Sequence, residues 1–213
     1  MDFDLLAPLD PAKQREVLSL TTAHRYRAGE VLFNEGDLGN TLHLLAAGRV
    51  RVQLATPDGE VMALTVMGPG SAFGEQALVD TTARRTATVV AIDQVETRTL
   101  HRGEFERLRA REPAVDRMLV VALAGQVRRL SRQLAEMSYL PAPTRVLRRM
   151  LELGALFDGG QVPVTQSEIA SMAGTTRVTV NRVLHTLAED QLVWLGRGWF
   201  AVLDPAGLAQ RAR

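Results

Sequence analysis

The sequence predicts an α+β protein in three parts, because the spacing of its apolar residues changes twice along the chain. Between residues 22 and 99, short apolar runs alternate with Gly, Pro, Asn and Asp, which is typical of an antiparallel sandwich or barrel. From Ala114 the apolar residues recur every three to four positions, which predicts one long helix. Pro141 and Pro143 end that helix and indicate a hinge before a last domain. We therefore expect domains at 1–112, 113–140 and 141–213.

Composition excludes several classes of protein. The chain has 213 residues, 46% apolar content, a formal charge of +1 and no cysteine. Without cysteine there are no disulfides, thiolate zinc sites, cysteine-bound iron–sulfur clusters or cysteine nucleophiles. No apolar run is long enough for a bilayer and no basic signal start is present, so we expect a soluble, cytoplasmic protein without a membrane partner. We find no catalytic Ser/His/Asp set, carboxylate pair or metal cluster, and predict neither an enzyme nor a metal site.

The first half of the chain reads as one short helix followed by strands. Asp10 as N-cap and Pro11 at the first helical position predict a helix through Leu20. Asp58-Gly59, between alternating apolar runs, predicts a hairpin turn. The apolar runs that we expect to form strands are 31–33, 42–45, 50–54, 61–66 and 88–92.

The segment 70–87 is unusually rich in groups that bind phosphates and sugars. It contains three glycines, Glu75 and the run Arg84-Arg85-Thr86. Glycines allow backbone N–H groups to crowd round a ligand, an arginine suits a phosphate, and a carboxylate suits a sugar hydroxyl. The alternative is a loop between strands with a surface salt bridge.

The long helix carries a narrow apolar stripe whose members are spaced alternately three and four residues apart. This seam consists of Val120, Leu123, Val127, Leu130, Leu134 and Met137. Such a pattern is typical of a coiled coil, so we expect the chain to pair with a second copy of itself as a homodimer. The alternative is a core helix of one domain.

The last domain has the signature of a helix-turn-helix. Thr165 and Glu168 form a capping-box pattern before one short helix, Gly174 provides a tight turn, and Thr176 caps a second helix. Two apolar runs around Gly196-Arg197-Gly198 then predict a β-hairpin wing. A plain helical hairpin is the alternative, but polar residues crowd the start of the second helix. The candidate contacts to double-stranded DNA are Thr175, Thr176, Arg177, Val178, Thr179, Asn181, Arg182 and, on the wing, Arg197.

The two arginines of the second helix are the strongest of these candidates. Arg177 and Arg182 can each form a bidentate fork to guanine O6 and N7. The threonine hydroxyls and Asn181 can bind phosphates or other bases. Val178 can only pack, for example against a thymine methyl group.

Over nearly its whole length the chain resembles the Crp/Fnr family of bacterial transcription regulators. The resemblance lies in the order of the three parts and in the glycine punctuation at Glu35-Gly36-Asp37, Gly48, Gly70 and Phe73-Gly74-Glu75. It implies an N-terminal cyclic-nucleotide-binding β-roll, a dimerisation helix and a C-terminal winged helix-turn-helix. It also implies a near-palindromic operator with half-sites one helical turn apart, and RNA polymerase as a further candidate partner.

The same resemblance implies the ligand and the residues that hold it. Phe73-Gly74-Glu75 with Arg84-Arg85-Thr86-Ala87 is similar to the phosphate-binding cassette of the family's cyclic-AMP sensors. By this likeness Glu75 binds the ribose 2′-hydroxyl, Arg85 the cyclic phosphate, and Thr86 with the region of Gly74 and Gln76 the phosphate oxygens. Leu64 and Thr65 would line the base side.

Two departures from the cyclic-AMP sensors concern specificity. Counting from the cassette, two hydroxyl residues that would bind adenine fall at Leu130 and Ser131, of which only Ser131 can do so. In the second helix, Val178 stands where the sensors have a glutamate. The sequence thus predicts a homodimeric regulator that binds DNA when cyclic AMP is bound. The alternative is a regulator of the same architecture that needs no effector or senses another ligand.

Overall fold

A computed structural model of the chain describes residues 2–80 and 82–212. Its helices are a 3-10 turn at Asp4–Leu6, α1 (Pro11–Ser19), α2 (Gln76–Val79), α3 (Arg102–Arg111), α4 (Ala114–Tyr139), α5 (Ala142–Leu156), α6 (Gln166–Ala173), α7 (Arg177–Glu189) and α8 (Pro205–Arg211). Its strands are β1 (Thr22–Tyr26), β2 (Val31–Phe33), β3 (Thr41–Ala47), β4 (Val50–Ala55), β5 (Val61–Met67), β6 (Ala72–Phe73), β7 (Thr88–Ala91), β8 (Val95–His101), β9 (Val193–Gly196) and β10 (Trp199–Val202). The predicted α+β class is confirmed.

The strands before α3 form two four-stranded sheets, in the orders β1-β8-β3-β6 and β2-β7-β4-β5. The described pairings within them are antiparallel, as for β3 and β8, in which His43 lies opposite Thr99. Four of the five apolar runs that we expected to form strands lie within one, and the fifth, 88–92, extends one residue beyond β7. Gly59, with a φ of +80°, stands at the predicted turn between β4 and β5. Strands β1 and β8 were not among those runs.

Two hydrophobic cores stabilise this region. The larger contains Leu42, Leu44 and Leu100 from the strands and joins them to Phe105 of α3 and Met118 of α4. The second lies between the sheets and has the members Leu45, Val50, Phe73, Val89, Ala91 and Val95. Because β3 contributes neighbouring residues to both cores, its position is fixed on both faces.

The apolar residues of helix α4 are fully buried only near its start. Val115, Met118 and Leu119 are in the larger core. Further along, Leu123 is half-buried and the other members of the predicted seam are 55–68% exposed. An apolar stripe of this extent is left open to solvent in the single chain.

The chain divides into two compact units within α4. One unit is Met1–Gly59 with Val66–Arg129, and the other is Glu60–Thr65 with Leu130–Arg213. The last turns of α4 therefore group with the C-terminal helices. Between α4 and α5, Pro141 takes the N-cap position and Pro143 lies in the first turn, where a proline is tolerated, so α5 begins two residues before the expected Thr144.

The C-terminal helices and hairpin form the predicted winged helix-turn-helix. The Thr165 hydroxyl accepts from the N–H of Glu168, whose carboxylate accepts in return from the N–H of Thr165, so the capping box is complete. Gly174 ends α6 with a φ of +59°, and Thr176 caps α7 by accepting from the N–H of Thr179. Strands β9 and β10 pair as the wing. Within the residues that the structure describes, no helix has the length and apolar character that crossing a bilayer requires.

Candidate functional site

The glycine-rich segment makes a tight bend at Gly74, where the carboxylate of Glu75 follows in the chain and the guanidinium of Arg85 lies against the backbone. β6 ends at Phe73, Gly74 follows with a φ of +80°, and the single turn α2 begins after Glu75. Glu75 is 9% exposed although it carries a carboxylate. A side chain at position 74 would overlap Nη1 of Arg85 and approach the carbonyl oxygen of Thr41 to 3.0 Å. Glycine at this position thus allows Arg85 to lie against the backbone.

Arg85 is buried and fixed from several directions. Its Nη1 donates to the carbonyl oxygen of Thr41 at 2.9 Å, and its Nη2 donates to the Thr41 hydroxyl at 2.7 Å. The guanidinium carbon lies 4.1 Å from the centre of the Phe33 ring, which is a cation–π distance. Burial lowers the pKa of Arg85, while the negative charges of Asp37 and Glu75 oppose that shift. Arg85 is only 7% exposed, so its charge is poorly solvated and favours an anionic partner.

A buried histidine adjoins this arginine. The ring of His43 stacks on Phe73, with centroids 5.2 Å apart, and its Nε2 lies 3.2 Å from the Thr41 hydroxyl. Burial first, and then the charge of Arg85, lower the pKa of His43 from 6.5 to about 3. His43 is therefore neutral near pH 7 and supplies no anion-binding charge.

A cavity of about 340 Å³ opens beside Glu75. Its wall consists of residues from the N-terminus, the strands and α4, namely Asp4, Leu5, Met67, Ser71, Ala72, Glu75, Val121, Ala122, Gly125, Gln126, Arg128 and Arg129. Gln126 and Arg129 offer hydrogen-bonding groups that the sequence did not single out. The count from the cassette had pointed about one helical turn further along α4, and no local motif marks position 126 or 129.

The other predicted ligand residues are dispersed. Gln76 and Thr86 are exposed and adjoin Glu75 and Arg85 in the chain. Ser131 is exposed on the part of α4 that belongs to the second unit. Thr65 is also exposed, and Leu64 lines a different cavity, of about 230 Å³, with Gln133, Met137, Arg145 and Ser171 among others. The structure thus brings together Gly74, Glu75 and Arg85 within the first unit, whereas Leu64 lines a cavity of the second unit.

The predicted DNA-reading residues are at the start of α7. Arg177, Val178 and Arg182 are exposed there, and Val178 is 71% accessible. Thr176 and Thr179 are hydrogen-bonded to each other at 3.1 Å, and Thr175 is half-buried. Asn181 donates to the side-chain oxygen of Gln166 at 3.3 Å, so part of its hydrogen-bonding capacity serves the packing of α6 on α7.

A groove of about 480 Å³ separates α7 from the wing. Arg177 and Asn181 line it from the helix, and Arg197, beside Gly198 at the wing turn, lines it from the other side. Gln166 and Ser167 of α6 add polar groups. Two arginines on opposite walls of one groove can contact a polyanion together.

Comparison with known proteins gives consistent results for both halves of the chain. The cyclic nucleotide-binding domain family matches residues 23–112, and the Crp-like helix-turn-helix domain family matches residues 144–211. The cyclic AMP receptor protein of Thermus thermophilus is 36% identical over 96% of this chain and 94% of its own length. The CRP-like cAMP-activated global transcriptional regulator of Mycobacterium tuberculosis is 32% identical over 87% of this chain and 85% of its own.

Solved structures have the same fold. The Thermus thermophilus catabolite activator protein has a TM-score of 0.58 and 36% identity, and the match covers 98% of this chain and 97% of that one. The c-di-GMP-responsive global regulator CLP of Xanthomonas campestris has a TM-score of 0.74 over 91% of this chain and 99% of its own, with only 22% identity. The second likeness concerns the fold alone.

Proposed function

Because this chain belongs to the Crp/Fnr family of transcription regulators, which are not enzymes, we propose that it is a homodimer whose affinity for DNA is raised by cyclic AMP. The observation that carries this proposal is the buried Arg85 beside Gly74 and Glu75. A buried cation next to a carboxylate suits a ligand that has both a phosphate and a sugar hydroxyl. The relatives of highest identity reported above are named for cyclic AMP.

The ligand would be held in two parts. Arg85 pairs with the cyclic phosphate, Glu75 accepts a hydrogen bond from the ribose 2′-hydroxyl, and Thr86 and Gln76 bind phosphate oxygens at the exposed rim. The base would enter the cavity beside Glu75, where the amide of Gln126 can donate and accept hydrogen bonds. Ser131 remains the candidate contact to the base held by the partner chain, since Leu130 has no hydroxyl.

The dimer would form through the seam of α4. Five of its six members are more than half exposed in the single chain, and burying them against a second copy removes that apolar surface from water. Two copies related by a twofold axis present two α7 helices, which fits a near-palindromic operator. Each α7 would read guanines through Arg177 and Arg182, while Arg197 would contact a phosphate.

Ligand binding would act by shifting an equilibrium between two arrangements of the dimer. The size of this shift is limited by the difference between the ligand's affinities for the two arrangements. The ligand cavity includes α4 residues, and α4 continues into the unit that carries α7. Helix α4 is therefore the element through which occupancy would reach the DNA-binding domain.

Arg85→Leu tests the ligand assignment, with Arg84→Leu as its matched control. Arg84 is exposed and donates to the carbonyl oxygen of Gly36, so its loss spares the buried site. We expect Arg85→Leu to abolish the effect of cyclic AMP on DNA affinity and to leave ligand-free DNA binding unchanged. Arg84→Leu should respond like the unaltered protein. If cyclic AMP still enhances DNA binding by the Arg85→Leu variant, the assignment is wrong.

Selection of bound DNA from a random pool, with and without cyclic AMP, tests the half-site, the dimer spacing and the effect of the ligand on DNA binding. We expect enrichment of a near-palindrome with guanines in each half-site, and steep loss of affinity as salt rises. Equal enrichment with and without cyclic AMP, together with no heat in calorimetry, would instead favour a regulator that needs no effector or senses another ligand.

A further inference from the structure

We propose that Thr41 positions Arg85 for phosphate recognition, by holding one edge of the guanidinium so that the other edge faces the ligand. This inference rests on the proposed function of Arg85 as the phosphate-binding residue. Thr41 opens β3, more than forty positions before Arg85 in the chain. It lies outside the glycine-rich segment, and no motif in the sequence marks it.

The hydrogen bonds of Arg85 divide its donors into two sets. A guanidinium has an end-on edge, formed by one N–H of Nη1 and one of Nη2, and a side-on edge, formed by Nε–H and the second N–H of Nη2. Thr41 takes the end-on edge, because Nη1 donates to its carbonyl oxygen and Nη2 to its hydroxyl. The second Nη1 hydrogen faces the carbonyl oxygen of Gly74 at a long 3.5 Å. Among the described residues no partner takes the two parallel donors of the side-on edge, and this is the geometry that binds a phosphate bidentately.

Gly39 keeps space beside the side-on edge. A Cβ at this position would stand 3.4 Å from Nε of Arg85 and 3.0 Å from Cβ of Ala77. The backbone of Gly39 does not have the positive φ that favours glycine. Glycine at position 39 therefore leaves room beside Nε of Arg85 that a side chain would fill.

His43 and Phe33 make the arrangement rigid. The Thr41 hydroxyl accepts from Arg85, so its own hydrogen is available to Nε2 of His43, 3.2 Å away. The neutral imidazole can accept it, which turns a hydroxyl lone pair toward Arg85 and leaves the ring proton on Nδ1. Within the described residues Nδ1 is buried without a hydrogen-bond partner. Phe33 covers one face of the guanidinium and restricts its rotation out of plane.

The test compares Thr41→Val with Thr41→Ser. Valine keeps the β-branched shape that suits a strand but removes the hydroxyl, whereas serine keeps the hydroxyl. Calorimetry with cyclic AMP should show about tenfold weaker binding for Thr41→Val and near-unaltered binding for Thr41→Ser, since a hydrogen bond to a charged group is lost in only one of them. Equal affinity of the valine variant and the unaltered protein, or equal losses in both variants, would overturn the proposal.

A second measurement does not depend on the ligand. In the ligand-free protein, ¹⁵N NMR should report His43 with its proton on Nδ1, and Thr41→Val should change that signal together with the Arg85 Nε–H resonance. Failure of the unaltered protein to bind cyclic AMP would refute the proposed function, while this signature would still test the contact chain of Thr41, Arg85 and His43. If both resonances are the same in the valine variant, Thr41 does not position Arg85.

Discussion

Glu136 and Arg149 form an ion pair of 2.7 Å that joins the last turns of α4 to α5 across the proline break. The second oxygen of the Glu136 carboxylate pairs with Arg148, also at 2.7 Å, and Glu136 is only 6% exposed. Arg145 adds hydrogen bonds to the carbonyl oxygens of Leu140 and Gly174. We call Glu136, Arg148 and Arg149 the clamp. The clamp connects α4 to α5 across Pro141, so the end of α4 and the helix-turn-helix lie in one unit. The two compact units of the chain therefore meet between Arg129 and Leu130, and not at the prolines.

Replacing Glu136 by Gln should destabilise the C-terminal unit by about 3 kcal/mol, because two arginines then lose a buried counter-charge. Glu152→Gln is the control, since Glu152 also pairs with Arg149 but its side chain is 58% exposed, and it should cost less than about 1 kcal/mol. The chain has two tryptophans, Trp194 and Trp199, both in the wing, so urea unfolding followed by their fluorescence reports on this unit. If the two variants lose the same free energy of unfolding, the clamp contributes no more than an exposed ion pair.

The elements predicted from the sequence are those whose capping residues and apolar spacing match the burial of their side chains in the structure. Helix α7 has a capping threonine and buried apolar residues at helical spacing, and β2 to β5 contain clear apolar runs. Strand β8 was not predicted, because Thr97 and Thr99 occupy inward positions at which apolar residues are expected. Both threonines are at most 3% exposed. Helix α8 was not predicted either, although Asp204 and Pro205 form the same N-cap and first-position pair as Asp10 and Pro11 of α1.

The candidate site was predictable only where it is local in sequence. Gly74, Glu75 and Arg85 lie within one short segment, and the resemblance to a family identified them. Phe33, Thr41 and His43 come from β2 and β3, and strand pairing brings them to Arg85. Their contacts depend on register and bend angle, which no local pattern encodes.

Leu134→Glu should convert the proposed dimer to a monomer. Leu134 is 68% exposed in the single chain, and in a paired seam two glutamates would be buried close together without counter-charges. We expect the dimer dissociation constant to rise by about 100-fold or more, measured by sedimentation equilibrium. Ala135→Glu adds the same charge one position outside the seam and should remain dimeric. A dimer of normal affinity in the Leu134→Glu variant would place the interface elsewhere.

His43 should make the β-sheet unit sensitive to mild acid. Its pKa is about 3 in the folded chain and 6.5 for an ordinary histidine, so between these values the unfolded chain binds the additional proton. Its contribution to stability is therefore full above pH 6.5 and is lost as the pH falls toward 3, at about 1.4 kcal/mol per pH unit.

His43→Phe should remove this part of the pH dependence. Between about pH 7 and pH 5.5, urea unfolding followed by circular dichroism should show about 1 kcal/mol less loss of stability for the variant than for the unaltered protein. His24→Phe, which replaces an exposed histidine on β1, should keep the unaltered slope. The same slope in all three proteins would mean that His43 does not titrate as a buried group.

Gly74→Ala should weaken ligand binding for a steric reason that Gly59→Ala does not share. Both glycines have a φ of +80°, so alanine at either position costs about 1 to 2 kcal/mol of backbone strain. At Gly59 a Cβ meets nothing within 4 Å, whereas at Gly74 it overlaps Nη1 of Arg85 and crowds the carbonyl oxygen of Thr41. Arg85 must then leave its position.

Calorimetry with cyclic AMP separates the two effects. Thermal unfolding should show destabilisation in both variants, larger in Gly74→Ala because Arg85 also loses its contacts, while the affinity for cyclic AMP should fall by about tenfold or more in Gly74→Ala alone. Such a difference between two glycines of equal φ isolates the contact with Arg85 from the cost of the turn. Undiminished affinity in Gly74→Ala would mean that Arg85 binds the ligand from a different position, and that its contacts with Thr41 are not those of the bound state.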